Sequence, residues 1–211
     1  NADVRLRVWF NDGTNGSEPW VSDGTLAGTH LLANINPGGT DSTPSSFTAL
    51  GNKALFKASD GTTGSELWAY DHATASVTLL KDIDRGASSS LASFFFQFGP
   101  RLLFSASDTS MGRELWVTDA TTAGTVLLKD INPGIGSSSP NAFVEFGDKV
   151  VFVADGGGTG GEVWITDGTG PGTVLLKDIR PGVIGSQPLG FTQVGDKLLF
   201  RANDGTSGRE L

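Results

Sequence analysis

Short apolar segments alternate with polar, glycine-rich links along the whole chain, and no stretch of ten residues shows the 3.6-residue period of an amphipathic helix. Within one stretch the apolar segments lie at 47–50, 53–58, 66–70 and 77–83. Among the links between them are Gly51-Asn52 and the sequence DGTTG at 60–64. Links of this composition are typical of tight β-hairpin turns. The pattern therefore predicts four antiparallel strands joined by short turns.

The same pattern returns every 48 residues without a gap. The repeat is carried by Trp20, Trp68, Trp116 and Trp164, by Glu18, Glu66, Glu114, Glu162 and Glu210, and by Asp23, Asp71, Asp119 and Asp167. A repeat of about 40–50 residues with four strands is typical of a propeller blade. The sequence therefore predicts an all-β fold, a β-propeller built from four-stranded antiparallel blades. An open β-repeat array is the alternative.

The positions of the repeats divide the chain into about five blades, of which the first and the last are incomplete. We expect a single repeat domain over residues 1–211, with a partial blade at 1–35, complete blades at 47–83, 95–131 and 143–179, and a partial blade at 191–211. The two ends both contain the same hairpin. The partial blades are therefore expected to lie side by side in one molecule, or to complete each other between molecules in self-assembly.

Composition excludes several classes of function. The 211 residues include no Cys and two His, which excludes a disulfide scaffold and a thiolate zinc site. The 23 acidic and 15 basic residues give a net charge of -8, which is unfavourable for binding a nucleic-acid backbone. No apolar run approaches the roughly 20 residues of a membrane-spanning helix, so membrane insertion is not expected.

Two long motifs resemble those of a known family. The sequences GRELWVTD at 112–119 and GGEVWITDGT at 160–169 resemble the ELW-x-x-DGT repeat family of bacterial proteins, and the match covers nearly all of the chain. The resemblance implies a secreted or surface-exposed protein with an extracellular or cell-surface location and no settled activity. The repeat length is also similar to that of five-bladed tachylectin-type lectins. Three segments depart from the repeated pattern: Pro19 replaces the Leu, Tyr70-Asp71-His72-Ala73 breaks the DGT element, and DGGG at 155–158 replaces Asp-Gly-Thr.

The Glu and Trp of each ELW element are the candidate ligand-binding residues: Glu18, Glu66, Glu114, Glu162, Glu210, Trp20, Trp68, Trp116 and Trp164. Glu is unfavourable in strands, so its recurrence in five copies needs a reason. One reason is structural, since a carboxylate can accept charge-assisted hydrogen bonds from the backbone N–H groups of the turns. The Trp likewise fits either the filling of space between blades or the stacking of a ligand.

The repeated Asp residues of the links are predicted to close turns through side-chain hydrogen bonds to the backbone. They are Asp12, Asp60, Asp108 and Asp204 in one turn, and Asp23, Asp71, Asp119 and Asp167 in the other. A calcium ion at these Asp residues is an alternative, although one Asp and one Glu per turn supply few of the six to eight oxygens that calcium takes. No other metal site and no cofactor is expected.

Catalysis needs a group that departs from the repeat, because a glycosidase uses one specific pair of carboxyl groups. The acidic residues here follow the repeat, and no pair stands apart, so the chain is not expected to be an enzyme. A binding module that recognises a glycan or a surface protein is the favoured function. The alternatives are a structural repeat of an adhesin, surface layer or filament, and a glycoside-active enzyme. Phe94 and Phe96 also depart from the repeat, and packing is favoured for them over a partner-binding patch.

Overall fold

The computed structural model describes residues 6–210, and the side chains of residues 9–210. Within this range the chain forms eighteen strands and no helix. The predicted all-β class is therefore confirmed. Residues 6–210 contain no helix that is long and apolar enough to cross a membrane.

The strands form five antiparallel sheets, and in each sheet every strand pairs with the next one along the chain. Sheet 1 contains β1 (Leu6–Asn11), β2 (Ser17–Ser22) and β3 (His30–Leu31). Sheet 2 contains β4 (Ser45–Leu50), β5 (Lys53–Ser59), β6 (Ser65–Asp71) and β7 (Ser76–Lys81). Sheet 3 contains β8 (Ser93–Phe98), β9 (Arg101–Asp108), β10 (Gly112–Thr118) and β11 (Val126–Lys129). Sheet 4 contains β12 (Asn141–Phe146), β13 (Lys149–Asp155), β14 (Gly161–Thr166) and β15 (Val174–Lys177). Sheet 5 contains β16 (Leu189–Val194), β17 (Lys197–Asn203) and β18 (Arg209–Glu210).

The sheets belong to two compact units. Sheets 1 and 2 lie in the first unit, and sheets 3, 4 and 5 lie in the second. The core of the first unit contains Phe56 and Tyr70, and that of the second contains Phe152 and Trp164. In the second unit the first strands of successive sheets, β8, β12 and β16, lie against one another.

One aromatic contact is repeated in four sheets, between a Phe of the first strand and a Phe of the second. The ring centroids are 5.1 Å apart for Phe47–Phe56, 5.4 Å for Phe95–Phe104, 5.4 Å for Phe143–Phe152 and 5.3 Å for Phe191–Phe200. The second-strand Phe is fully buried in sheets 2, 3 and 4. Burial of a side chain of this size contributes about 1.5–3 kcal/mol, which makes the pair a main source of stability in each of these sheets.

A β-bulge places Phe94 and Phe96, the two Phe residues that depart from the repeat, in different environments. The pairing of β8 with β9 shifts between Ser93 and Phe96, and Phe94 within the shift has a φ of 56°. Phe94 is 58% exposed, whereas Phe96 stacks on Phe143 with centroids 6.0 Å apart. The packing role favoured for both residues therefore holds for Phe96, and Phe94 lies at the surface.

Candidate functional site

Four of the five repeated Glu residues bind the crossover that leads to the next sheet. In sheet 3, Oε2 of Glu114 accepts hydrogen bonds from Ile131 N at 2.7 Å and from Ser138 Oγ at 2.6 Å. Oε1 accepts one from Ser138 N at 2.9 Å. Glu114 is fully buried. Oε2 also accepts a hydrogen bond from Asn132 N at 3.4 Å. Four hydrogen bonds to one carboxylate therefore join the third strand to both ends of the crossover, and we call this arrangement the Glu–Ser clamp.

The clamp recurs in sheets 1, 2 and 4. Each time the Glu accepts from the backbone N–H 17 residues later and from a Ser 24 residues later. The other three Glu–Ser pairs are Glu18 with Ser42, Glu66 with Ser90, and Glu162 with Ser186. All four Glu side chains are fully buried. The structure therefore favours the structural role of these Glu residues over the ligand-binding role.

The fifth Glu stands in a different environment. Glu210 is exposed, whereas the other four Glu residues are fully buried. It therefore serves as an internal control for the four buried Glu residues.

Burial affects the protonation of the clamp. Burial raises the pKa of Glu66 from 4.5 to about 7, although the N–H groups of Ile83 and Ser90 act in the opposite direction. Burial also raises the pKa of Glu114, against the hydrogen bonds from Ser138 and Ile131. A raised carboxyl pKa is often a sign of a catalytic acid. These carboxyl groups, however, are closed to solvent and bonded to the backbone, so a substrate has no access to them.

The Trp residues of the ELW elements also lie inward. Trp116 is 5% exposed and Trp164 9% exposed, while Trp20 and Trp68 are half-buried. Nε1 of Trp68 donates to the carbonyl oxygen of Ala58 at 3.0 Å, whereas Nε1 of the other three is buried without a partner. This placement favours the filling of space over the stacking of a ligand for these four residues.

The turn Asp residues use their oxygens on their own turns. Oδ1 of Asp60 accepts from the backbone N–H of Thr62 and Thr63, each at 2.8 Å. In the other turn, Oδ1 of Asp167 accepts from Thr169 N at 2.9 Å and from Thr169 Oγ1 at 2.7 Å. Similar bonds to the backbone are made by Asp12, Asp23, Asp71, Asp108 and Asp204. Asp119 lies at the equivalent position of sheet 3 and is exposed.

These bonds lower the pKa of several turn Asp residues. The N–H groups of Ser207 and Thr206 lower the pKa of Asp204 to about 2. The hydroxyl and N–H groups of Thr169 lower the pKa of Asp167. Between residues 6 and 210, no group of three or more His, Asp and Glu side chains is placed to hold a metal ion. Turn closure accounts for the hydrogen bonds that these Asp residues make.

A surface groove recurs beside the crossovers at the same position of two repeats. The groove of the first repeat, called the first groove below, has a volume of about 430 Å³ and is lined by Trp9, Ser17, Asp41, Thr43, Pro44, Ser45 and Ser65. The groove of the fourth repeat, called the fourth groove below, has a volume of about 450 Å³, and its lining includes Val153, Gly161, Gln187, Pro188 and Leu189. These five positions lie 144 residues, or three repeats, after Trp9, Ser17, Thr43, Pro44 and Ser45. The repeat therefore builds the same groove in both places, and the side chains differ.

The backbone beside the grooves is held in the same way in successive repeats. Ser17 N donates to Asp41 Oδ1 at 2.7 Å in the first repeat. The equivalent N–H groups of Ser65 and Arg113 donate to Ser89 Oγ at 2.9 Å and to Ser137 Oγ at 3.0 Å. Asp41 thus makes the bond for which later repeats use a Ser, and it adds a carboxylate at the surface.

Trp9 is a candidate binding residue that the repeated motifs do not predict, although the sequence contains a signal for it. The chain has five Trp residues, and Trp9 is the one that lies outside the 48-residue series of the other four. Its counterparts in the later repeats are Lys57, Ser105, Val153 and Arg201. Trp9 is 56% exposed, so the Trp that departs from the repeat is the one that faces solvent.

No family model matches the chain, and no curated protein matches it in sequence. The ELW-x-x-DGT resemblance therefore stays a prediction from the motifs. Among solved structures, a prolyl endopeptidase from a study of two such enzymes matches 98% of this chain with a TM-score of 0.53 and 12% identity. The match covers 32% of the endopeptidase chain, so it concerns the fold of one part of that protein. The fold class predicted from the repeat, a β-propeller of about five four-stranded blades with incomplete terminal blades, is confirmed.

Two further solved structures match with a TM-score of 0.46. The computationally designed Ika8 protein is 20% identical, and the match covers 97% of this chain and 56% of that one. A TolB protein of Agrobacterium tumefaciens is 15% identical, and the match covers 86% of this chain and 64% of that one. The present chain therefore spans between a third and two thirds of the solved chains that it matches.

Proposed function

We propose that the chain is a non-catalytic binding module that acts outside the cell or at its surface and recognises a glycan or a surface protein. The proposal rests on a groove that recurs in two repeats. Successive repeats hold the backbone beside it with equivalent hydrogen bonds, whereas the side chains that line it differ. Trp9 and Asp41 line the first groove, where the fourth has Val153 and Gly185 at the equivalent positions. Variation at a groove on a conserved scaffold is how one fold acquires different ligands.

The clamp supports this function because it makes the frame rigid. In the first repeat, Ser42 Oγ donates to Glu18 Oε2 at 2.7 Å, and Ser42 is fully buried. Thr43, Pro44 and Ser45, which line the first groove, directly follow this Ser in the chain. A site held by buried hydrogen bonds loses little conformational entropy when a ligand binds.

The positions of the acidic residues argue against the glycosidase alternative. Hydrolysis of a glycoside uses two carboxyl groups on either side of a substrate that reaches both. The four clamp carboxylates are fully buried, and Asp60 and Asp167 are bonded to their own turns. The proposed location of the protein, outside the cell or at its surface, is inferred from the resemblance of the ELW motifs alone.

Self-assembly is the second candidate, and one observation favours it. Leu199 is 46% exposed, whereas its counterparts Leu55 and Leu103 are fully buried. Sheet 5 therefore presents side chains that are core elsewhere in the repeat. If association through sheet 5 occurs, light scattering will show a multimer that Leu199→Ser reduces to monomers.

Glycan-array screening followed by isothermal titration tests the binding function. We expect at least one sugar class to bind with a stoichiometry below one site per blade, since the groove linings differ. Variants confined to a groove should remove this binding and leave the urea midpoint unchanged. Failure of the wild-type protein to bind any glycan would overturn the glycan form of the proposal.

A further inference from the structure

We infer that the first groove binds the ring of a neutral pyranose sugar, stacked on Trp9 and hydrogen-bonded to Asp41, an assignment that rests on the proposed binding function. Trp9 is 56% exposed, so a large part of its indole is open to a ligand. The aromatic face carries negative potential, and the axial C–H groups of a pyranose carry the complementary positive potential. The volume of about 430 Å³ is within the range of small-molecule sites.

Asp41 supplies the polar half of the site. Its Oδ1 accepts from Ser17 N at 2.7 Å, which fixes the orientation of the carboxylate. Its Oδ2 has no hydrogen-bond partner among residues 6–210 and is available to the hydroxyl groups of a ligand. Hydrogen bonds from hydroxyl groups to a carboxylate are short and strong because the acceptor is charged. The hydroxyl groups of Thr43 and Ser45 line the same groove and are exposed.

Charge selects the kind of sugar. Asp41 is negative, and the chain as a whole has a net charge of -8, so a sulfated or carboxylated sugar would be repelled. A neutral pyranose has vicinal hydroxyl groups that donate to Oδ2 and a C–H face that lies on Trp9. The chemistry of the groove therefore matches neutral sugars rather than acidic ones.

The other repeats lack this combination. In the fourth groove Val153 replaces Trp9, and Gly185 stands at the position of Asp41, so neither the indole nor this carboxylate is present. In the third repeat the guanidinium of Arg113 donates to Ser93 Oγ at 3.1 Å and to Ser105 Oγ at 3.4 Å. Ser93 and Ser105 are the counterparts of Ser45 and Trp9. We therefore expect one neutral-sugar site in the first repeat rather than one per blade.

The repeat itself supplies test variants that preserve the frame. Trp9→Val places the residue of the fourth repeat, and Asp41→Ser places the residue of the second and third repeats, where Ser89 and Ser137 keep the backbone hydrogen bond. The double variant Ile184→Ala and Leu189→Ser changes the fourth groove and serves as the matched control. The probes are methyl β-glucopyranoside, methyl β-galactopyranoside, N-acetylglucosamine and glucuronic acid.

Binding is measured by NMR titration, with the five indole N–H signals as reporters of position. We expect a neutral probe to shift the Trp9 signal and to bind at least about tenfold more weakly to Trp9→Val and to Asp41→Ser. Glucuronic acid should bind more weakly than the neutral probes, and the double variant should bind like the wild-type protein. Equal urea midpoints would show that the variants fold.

Three outcomes would overturn the assignment. Sugar binding that survives in Trp9→Val and is lost in the double variant would place the site in the fourth groove and leave the proposed binding function standing. Absence of sugar binding in the wild-type protein, on the array and in this titration, would remove the glycan function as well. The groove would be assigned to protein recognition if a purified protein binds the chain, if both first-groove variants lower its affinity, and if the sugars do not compete with it.

Discussion

Replacing Glu114 by Gln tests the clamp most directly. The carboxylate accepts from Ile131 N, Ser138 N and Ser138 Oγ, whereas an amide offers one oxygen and directs its NH₂ group at a donor. At least one buried N–H and the amide NH₂ then lack partners, at about 1–3 kcal/mol each. The neutral amide recovers part of this, because it avoids the burial of a charge. We expect a net loss of about 2–4 kcal/mol in the free energy of unfolding.

The assay is urea unfolding at pH 7.5, combined with native-state hydrogen exchange at the amides of Ile131 and Ser138. Exchange is needed because repeat proteins can open locally, and these two amides report the crossover itself. Ser138→Ala removes only the hydroxyl bond and should cost less than Glu114→Gln. The matched control is Glu210→Gln, in which the repeated Glu is exposed, with an expected change below about 0.5 kcal/mol.

Equal urea midpoints for Glu114→Gln and Glu210→Gln, within error, would contradict a stabilising role of the clamp. A lower midpoint for Glu114→Gln with the Ile131 and Ser138 amides still fully protected would also contradict it, because the loss of stability would then arise elsewhere than in the clamp.

The remaining predictions concern pH, packing and the Phe pair. Burial raises the pKa of Glu66 from 4.5 to about 7, so its contribution to stability is complete below pH 4.5 and is lost as the pH rises through 7; urea midpoints at pH 5 and pH 8 should show this decline, and Glu66→Gln should make it smaller, with the part due to Glu114 remaining. Trp116→Ala should cost about 3–5 kcal/mol in thermal unfolding because its indole is 5% exposed, while Trp9→Ala, at 56% exposure, should leave stability nearly unchanged. Phe96→Thr, which places the residue found at positions 48 and 192, should lower the free energy of unfolding in urea by about 1–2 kcal/mol through loss of its contact with Phe143, and Phe94→Ala should not; equal effects would contradict the assignment of the two side chains.

The local structure of this protein could be predicted from the sequence. Hairpin turns depend on residues a few positions apart, so Gly51-Asn52 and the bonds of Asp60 to Thr62 and Thr63 follow from the sequence nearby. The period of 48 residues reports the strand order of each sheet, because each strand pairs with its neighbour along the chain. A structural role for the repeated Glu was anticipated on its unfavourable strand propensity, although its partners were expected in the turns.

The tertiary structure alone decided which distant groups meet. Ser138 lies 24 residues from Glu114 along the chain. The crossover between them has no periodicity of a strand or a helix, so its sequence does not predict that the two residues meet. The bulge at Phe94 interrupts the two-residue alternation of β8, so alternation could not tell Phe94 from Phe96. Trp9 lies outside the 48-residue repeat, and the repeated residues indicate only the backbone arrangement that all repeats share. A groove is formed by side chains that come together only after the strands and the crossover have packed.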